Sequence, residues 1–432
     1  MKEFRLSYGT GTIPIRIPDQ NLAGYFSPSA VKPDPDTKAA IQRAIDAAQP
    51  SLSSLITGKK VCMLIADGTR AEPHQELIEV MVPYLEPAKE VTFFITTGSH
   101  DTQMAKTQNI VRWIEENSYR VGLPASRIVL NDCFDTSAFV NLGTTSRGTP
   151  VMVNRSILDA EVYLVISDCK YHYFAGYSNY LKHFIPGACA FETIEKNHSL
   201  ALDELSTFGR HPWHPDPNQR TQPLSEDMLE AVTRFIVKDK AAVNLTVVTA
   251  NNRIVWAKSG SPKEVSAAAF EFNDRNMSFE IDPVKYLVIS PGPKPDGDQL
   301  YDAQRGLELT KQAIMPGGEI LWLVPCDLGI APNQKANRHF YELLAESDTP
   351  EQVMQQIAAG YKLYSHKAYK FAQLMKQVKI SVYTELSAAT VEKIHMKKIT
   401  DPQAVIDRWL ASDSEAKIIV VDGANKTVFR KK

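Results

Sequence analysis

Three histidines and Lys182 share a single stretch, YHYFAGYSNYLKHFIPGACAFETIEKNHS, residues 171–199, the histidines being His172, His183 and His198. A lysine desolvated beside an anion can serve as a nucleophile or a covalent anchor. Histidine can move protons near neutrality or bind a metal. Gly176 and Gly187 permit tight turns and close backbone approach there. Two shorter polar runs carry similar promise: Asp67-Gly68-Thr69-Arg70 and Gly98-Ser99-His100. Each residue taken alone has an ordinary alternative: a helix cap for Asp67, a surface ion pair for Arg70, a turn contact for any of the histidines.

These residues need elements to hold them, and the pattern supplies strand ends. Lys60–Ala66 and Val91–Thr96 are short apolar runs that read as buried strands, followed by helical spacing over Gln75–Leu85 and Met104–Glu116. Arg127–Asn131 and Glu161–Ser167 add strands. Strands alternating with helices imply a largely parallel sheet covered on both faces, with chemistry at the carboxyl ends of its strands. All three polar groups fall at such ends. A second set begins at Lys285–Ser290 and continues through helices over Leu300–Ala313, Gln334–Glu346 and Thr349–Lys376. Its further strands are Glu319–Val324, Val378–Tyr383 and Lys417–Val421, with a helix over Pro402–Ala411 between the last two. The expected fold is therefore α/β with two domains, each a largely parallel sheet flanked by helices, and an active site in the cleft between them. The expected division is 1–280, a cofactor-binding catalytic domain to which 412–432 could return, and 281–411, a second α/β domain. The stretch 209–223 holds four prolines, which forbid a continuous helix or central strand.

Composition narrows the function classes. The chain has 432 residues, 44% hydrophobic and 23% charged, and 48 basic side chains nearly cancel 50 acidic ones. That balance argues against nucleic acid or a membrane surface as a partner. No apolar run reaches the roughly 18 residues of a membrane span, and the start lacks a signal-peptide pattern. The five scattered cysteines form no CxxC pair and read as reduced, buried thiols of a cytoplasmic protein.

The ordered motifs resemble the lactate racemase family, whose members use a nickel-pincer nucleotide. The family pattern His-Phe-Phe-Ala-Gly-Phe-Ser-Gly-Gly-Arg-Lys, then Pro-Gly, then Asn-His, is similar to His172-Tyr173-Phe174-Ala175-Gly176-Tyr177-Ser178, Lys182, Pro186-Gly187 and Asn197-His198. Asp67-Gly68-Thr69-Arg70 matches its Asp-x-Thr-Arg loop, and Gly98-Ser99-His100 its Gly-x-His. The resemblance implies a racemase or epimerase that inverts C2 of a 2-hydroxy acid by reversible hydride transfer. It implies a pyridinium-3-thioamide-5-thiocarboxylate mononucleotide carrying nickel, attached covalently through Lys182, with His198 as metal ligand. His100 and His172 match the paired acid/bases. The resemblance also puts Arg70, Arg305 and Tyr301 at substrate, with the planar Arg70 guanidinium suited to its carboxylate, Asp67 orienting Arg70 or meeting the cofactor, and Thr69 with nearby amides meeting the nucleotide phosphate at a strand-to-helix turn. Proteins of cofactor biosynthesis are the implied partners for loading.

Departures cluster around substrate. Gly68 replaces a family histidine, Asp101-Thr102 replaces Arg-Pro, and Asn179-Tyr180-Leu181 replaces Gly-Gly-Arg. Arg305 stands for a family lysine, and Ser365-His366-Lys367 occupies a region where the family has a tryptophan. A 2-hydroxy acid other than lactate is expected, with Gly68 opening space and Asp101 and Asn179 offered to hydroxyls. Two alternatives share the same residues: a redox enzyme that stops at the keto acid, and a non-catalytic nickel- or nucleotide-binding protein. A zinc hydrolase built on His100, His172 and His198 lacks any short zinc signature.

Overall fold

The computed structural model describes every residue except Ala71, Pro124 and Asn251. The chain forms two compact units, one of residues 30–276 and one of residues 1–29 with 277–432.

The 30–276 unit is built on a six-stranded sheet. Its order is Arg253–Gly260, Ala241–Ala250, Val162–Asp168, Lys60–Ala66, Glu90–Thr96, Ser126–Leu130. All neighbours are parallel except the edge strand Arg253–Gly260. The central strands are near-continuous apolar runs because helices cover both faces of a parallel sheet. Met63, Leu64, Phe93, Phe94, Leu164 and Val165 are fully buried, each such side chain contributing about 1.5–3 kcal/mol. From Lys60–Ala66 the sheet grows one way through Glu90–Thr96 and the other way through Val162–Asp168. That reversal leaves a crevice at the carboxyl ends of these strands, the usual ligand position in open α/β sheets. Asp67 and Asp168 stand on its two sides.

The other unit has a six-stranded, all-parallel sheet in the order Lys397–Lys398, Lys379–Tyr383, Ile314–Leu323, Val284–Ser290, Ile418–Asp422, Leu22–Phe26. The hairpin Lys2–Tyr8 with Gly11–Ile17 packs Phe4, Leu6, Ile15 and Ile17 against Tyr286, Val288 and Trp409.

The expected boundary after residue 280 lies close to the unit border at 276–277, but the expected division of the chain needs correction. Residues 1–29 belong with the second sheet, not with 30–276. Ile418–Asp422 pairs with both Val284–Ser290 and Leu22–Phe26, so 412–432 does not return to the first domain. Strand pairing between residues about 400 apart in sequence leaves no local mark. The single helix expected over 349–376 is two, Pro350–Ala359 and Ser365–Met375, separated at Gly360 and at Tyr364, whose φ is +83°. All five cysteines are free and buried.

Candidate active site

Asp67 follows the strand Lys60–Ala66 directly and is 1% exposed. Its two oxygens do different work. Oδ1 accepts from the Thr69 amide at 3.0 Å and the Thr69 hydroxyl at 2.5 Å. Oδ2 faces His100 Nδ1 at 2.6 Å. Burial works to raise this carboxyl, but the hydrogen bonds from His100 and Thr69 and the nearby Arg70 charge outweigh it, holding it below the ordinary carboxylate range. An ionised Asp67 only accepts, so His100 Nδ1 carries the proton and Nε2 is left with its lone pair.

The neighbouring strand makes this possible. Ala66 pairs with Thr96, so the loops after both strands start side by side. The chain turns at Gly98, φ +57°, and the His100 amide bonds back to the Thr97 carbonyl at 3.0 Å.

The 67–70 turn corrects two expectations. A Cβ on Gly68 would sit 2.5 Å from Lys106 Cβ and 2.6 Å from the Thr107 amide nitrogen. The absent side chain admits the helix Ala105–Val121, not a ligand. The amides of Gly68, Thr69 and Arg70 already bond to Thr107 Oγ1, Asp67 Oδ1 and the Asp67 carbonyl, so they form no open phosphate cradle. Arg70 is half-buried, and among the described residues its guanidinium makes no ion pair. It borders a cavity of about 360 Å³ with Thr69, His74, Lys106 and Trp113.

Across the crevice, the strand Val162–Asp168 leads into a two-residue-per-arm hairpin in which His172 pairs with Gly176. Gly176 has φ +76°, and a Cβ there would lie 1.7 Å from the Arg210 carbonyl oxygen. The proline-rich loop thus presses on this hairpin. Asp274 holds it from below, accepting from Tyr171 at 2.6 Å and Tyr177 at 2.5 Å and facing His214 Nε2 at 3.2 Å. His172 is half-buried and its Nδ1 accepts from the Ala175 amide at 3.3 Å. In the neutral ring this puts the proton on Nε2, the reverse of His100.

Lys182 sits on the short helix Tyr180–Phe184 and His198 on Phe191–Ser199. One ring gathers them. Phe174 lies 5.6 Å from Lys182 Nζ, and its centroid is 5.3 Å from that of His198 and 4.5 Å from that of His172. Burial, then the Lys182 charge, pushes His198 down to about 3, so it is a neutral imidazole. A carbon cage around one amine and one neutral imidazole, borderline in softness, fits a nickel-bearing organic cofactor with sulfur donors of its own. Among the described residues no group of three or more His, Cys, Asp or Glu could hold a metal unaided.

Asn179 caps the Lys182 helix. Its Oδ1 accepts from the Leu181 amide at 2.8 Å and its Nδ2 donates to the Tyr177 carbonyl at 2.9 Å. Asn179 is therefore not free to read substrate hydroxyls, whereas Asp101, exposed, uses only Oδ1, which accepts from the Gln103 amide at 2.8 Å. Asn179→Ala is expected to cost about 1–2 kcal/mol, measured by urea unfolding; no change in midpoint would refute the cap. The helix ends at Pro186-Gly187, where a Cβ on Gly187 would meet Thr96 Cβ at 2.7 Å. This close approach seats His183 against the strand end.

The structure therefore brings Asp67, Thr69 and His100 into one hydrogen-bonded group, and His172, Lys182 and His198 into another around Phe174. Sequence reasoning gave Asp67 to Arg70 or the cofactor and missed its bond to His100. The adjacency of two strand ends was the available signal. Phe174 and His183 were quoted without a role. Tyr301 and Arg305 lie in the other unit, on the first turns of Leu300–Thr310, where Lys367 Nζ bonds to the Tyr301 carbonyl.

Residues 8–209 match the family model described as the lactate racemase N-terminal domain. A lactate racemase of Thermoanaerobacterium thermosaccharolyticum is 22% identical over 83% of this chain and 81% of its own length. One of Lactiplantibacillus plantarum is 20% identical over 96% of each. The solved lactate racemase apoprotein of T. thermosaccharolyticum superposes with a TM-score of 0.83 over 99% of this chain and all of that one, at 19% identity. A structural-genomics protein of Thermotoga maritima gives 0.60 over 92% of this chain and 99% of its own, at 16% identity. The chain thus carries the lactate racemase N-terminal domain over residues 8–209 and is similar to lactate racemases, as a divergent relative, over most of its length.

Proposed function

We propose that this chain is a racemase or epimerase inverting C2 of a 2-hydroxy acid, working with a nickel-pincer nucleotide tethered through Lys182 and ligated by His198. Similarity to lactate racemases supports racemase-type activity. The observation that carries the finer reading is the Asp67–His100 contact of 2.6 Å beside an unpaired Arg70. When bound, the cofactor supplies an acceptor and donor of hydride at the substrate carbon.

The chain's own residues do the rest. Arg70 takes the substrate carboxylate as a bidentate pair. His100 Nε2 removes the hydroxyl proton, and Asp67 stabilises the imidazolium that results. His172, once protonated to the imidazolium, returns a proton to the oxygen when it is presented from the other side and is left neutral. One direction of inversion starts with His100 neutral and His172 as imidazolium, and the reverse direction with the two states exchanged. Tyr301 and Arg305 are assigned to substrate on the family resemblance.

Intact mass and nickel content after co-expression with the cofactor-making proteins test this. The wild-type chain is expected to gain the cofactor's mass and about one nickel, and Lys182→Ala to gain neither. No adduct and no nickel, under conditions that load a lactate racemase, would overturn the reading. Accumulation of keto acid without the opposite enantiomer would favour a redox enzyme instead.

A further inference from the structure

His183 is 7% exposed and lies beside the proposed anchor, yet the chemistry above does not use it. Its Nδ1 sits 3.1 Å from Thr96 Oγ1. The Thr96 hydroxyl has one proton and gives it to the Ile65 carbonyl at 3.0 Å. Toward His183 it can only accept, so Nδ1 carries the ring proton and Nε2 is a lone-pair acceptor. Among the described residues this is the ring's only hydrogen bond.

Thr96 ends its strand and pairs with Ala66, the residue before Asp67. His183, held at Thr96, therefore lies at the carboxyl ends of these two strands, where the Asp67–Arg70 turn begins, and next in sequence to Lys182. Burial, then Arg70, pushes it down to about 3, so it stays neutral throughout the working range. A lone pair in a neutral ring repels a second carboxylate. The Arg70 charge disfavours an ammonium group. What remains is a neutral donor, for which a hydroxyl is the simplest.

We infer that His183 Nε2 accepts a hydrogen bond from a second hydroxyl of the substrate, on the carbon next to C2, making this a site for 2,3-dihydroxy acids. The inference rests on the 2-hydroxy-acid reading and on Arg70 holding the carboxylate. It supplies the tail contact that Gly68 and Asn179 do not. A site built to pair a hydroxyl rejects the analogue lacking it, because the buried acceptor then loses its partner.

Glycerate and lactate differ only by that hydroxyl, so the pair is the probe. Their kcat/KM values are measured on the loaded enzyme, and their affinities for the unloaded protein by calorimetric titration. The wild-type chain is expected to prefer glycerate at least tenfold in both measurements. His183→Phe is expected to bring the ratio to within about twofold of one, mainly through KM. His183→Gln, which keeps an acceptor, should recover part of it. Thr96→Val keeps the imidazole but removes the group that fixes its proton, and should lower the ratio too, which covers the case of a poorly folded His183 variant. Equal handling of the two acids by the wild-type chain would overturn this inference alone. So would an unchanged ratio in both variants. Failure to bind either acid, or any member of a panel of chiral 2-hydroxy acids, would overturn the parent reading with it.

Discussion

Asp67→Asn is expected to lower kcat for racemisation of a 2-hydroxy acid by about 10²- to 10⁴-fold, the range seen when a carboxylate that orients a catalytic histidine becomes an amide. The bond at issue is 2.6 Å, between a carboxyl 1% exposed and His100 Nδ1. An asparagine can offer its NH₂ to Nδ1, which moves the ring proton to Nε2 and removes the lone pair that serves as base. It also carries no charge to stabilise the imidazolium. The variant should fold, because Oδ1 can still accept from Thr69, and the change is isosteric. Intact mass on the same preparation separates two causes. A full cofactor adduct with low kcat assigns Asp67 to His100. Loss of the adduct assigns it to the cofactor. A kcat within threefold of wild type would remove His100 from the chemistry.

Much of this arrangement was legible in the sequence because it is periodic or local. Lys60–Ala66 is a run of buried strand residues bounded by a turn, and its observed limits are the expected ones. The catalytic candidates fall at the ends of three such runs, which parallel sheets make the ordinary place for ligands. The Lys182 segment could be read as one unit because its spacing is short enough for chain connectivity to fix it.

What was not legible depends on contacts across the sequence. Gly68 reads as an opening when the sequence is considered alone. In the fold it is the point at which the Ala105–Val121 helix touches the strand-end loop, 38 residues away at Lys106. Asn179 reads as a polar group near a ligand, yet both ends of its amide are used within two residues of itself. His183 reads as one more loop histidine. Its tautomer is set by Thr96, 87 positions earlier, and by the carbonyl that Thr96 already serves. The N-terminal strand Leu22–Phe26 carries no sign that its neighbour is Ile418–Asp422. Pairing of this kind rewards the chain only after a long loop closes, so no window of sequence encodes it.

The same burial that fixes these tautomers makes the 30–276 unit acid-sensitive. Burial pushes His74 down to about 4, and His183, His198 and His211 down to about 3. The unfolded chain takes up protons at these positions below about pH 6.5 while the native state does not. Stability therefore falls as pH drops through 6.5 and keeps falling until the native values are reached. Between pH 7 and pH 5 each of the four costs about 2 kcal/mol. Glu72 acts the other way. Burial, then the Asp168 charge, raises it to about 8, so the native state holds a proton that the unfolded chain releases above about pH 4. Acidification from pH 7 to pH 5 returns about 2 kcal/mol through this group. The histidines win by about 6 kcal/mol, which for a unit of this size corresponds to a melting temperature lower by roughly 15 °C. Calorimetry of the unloaded protein across that range checks it, and His74→Gln should flatten the slope by about a third. A melting temperature that is level from pH 7 to pH 5 would mean that these rings are protonated in the native state, and the lone pair assigned to His183 Nε2 would go with it.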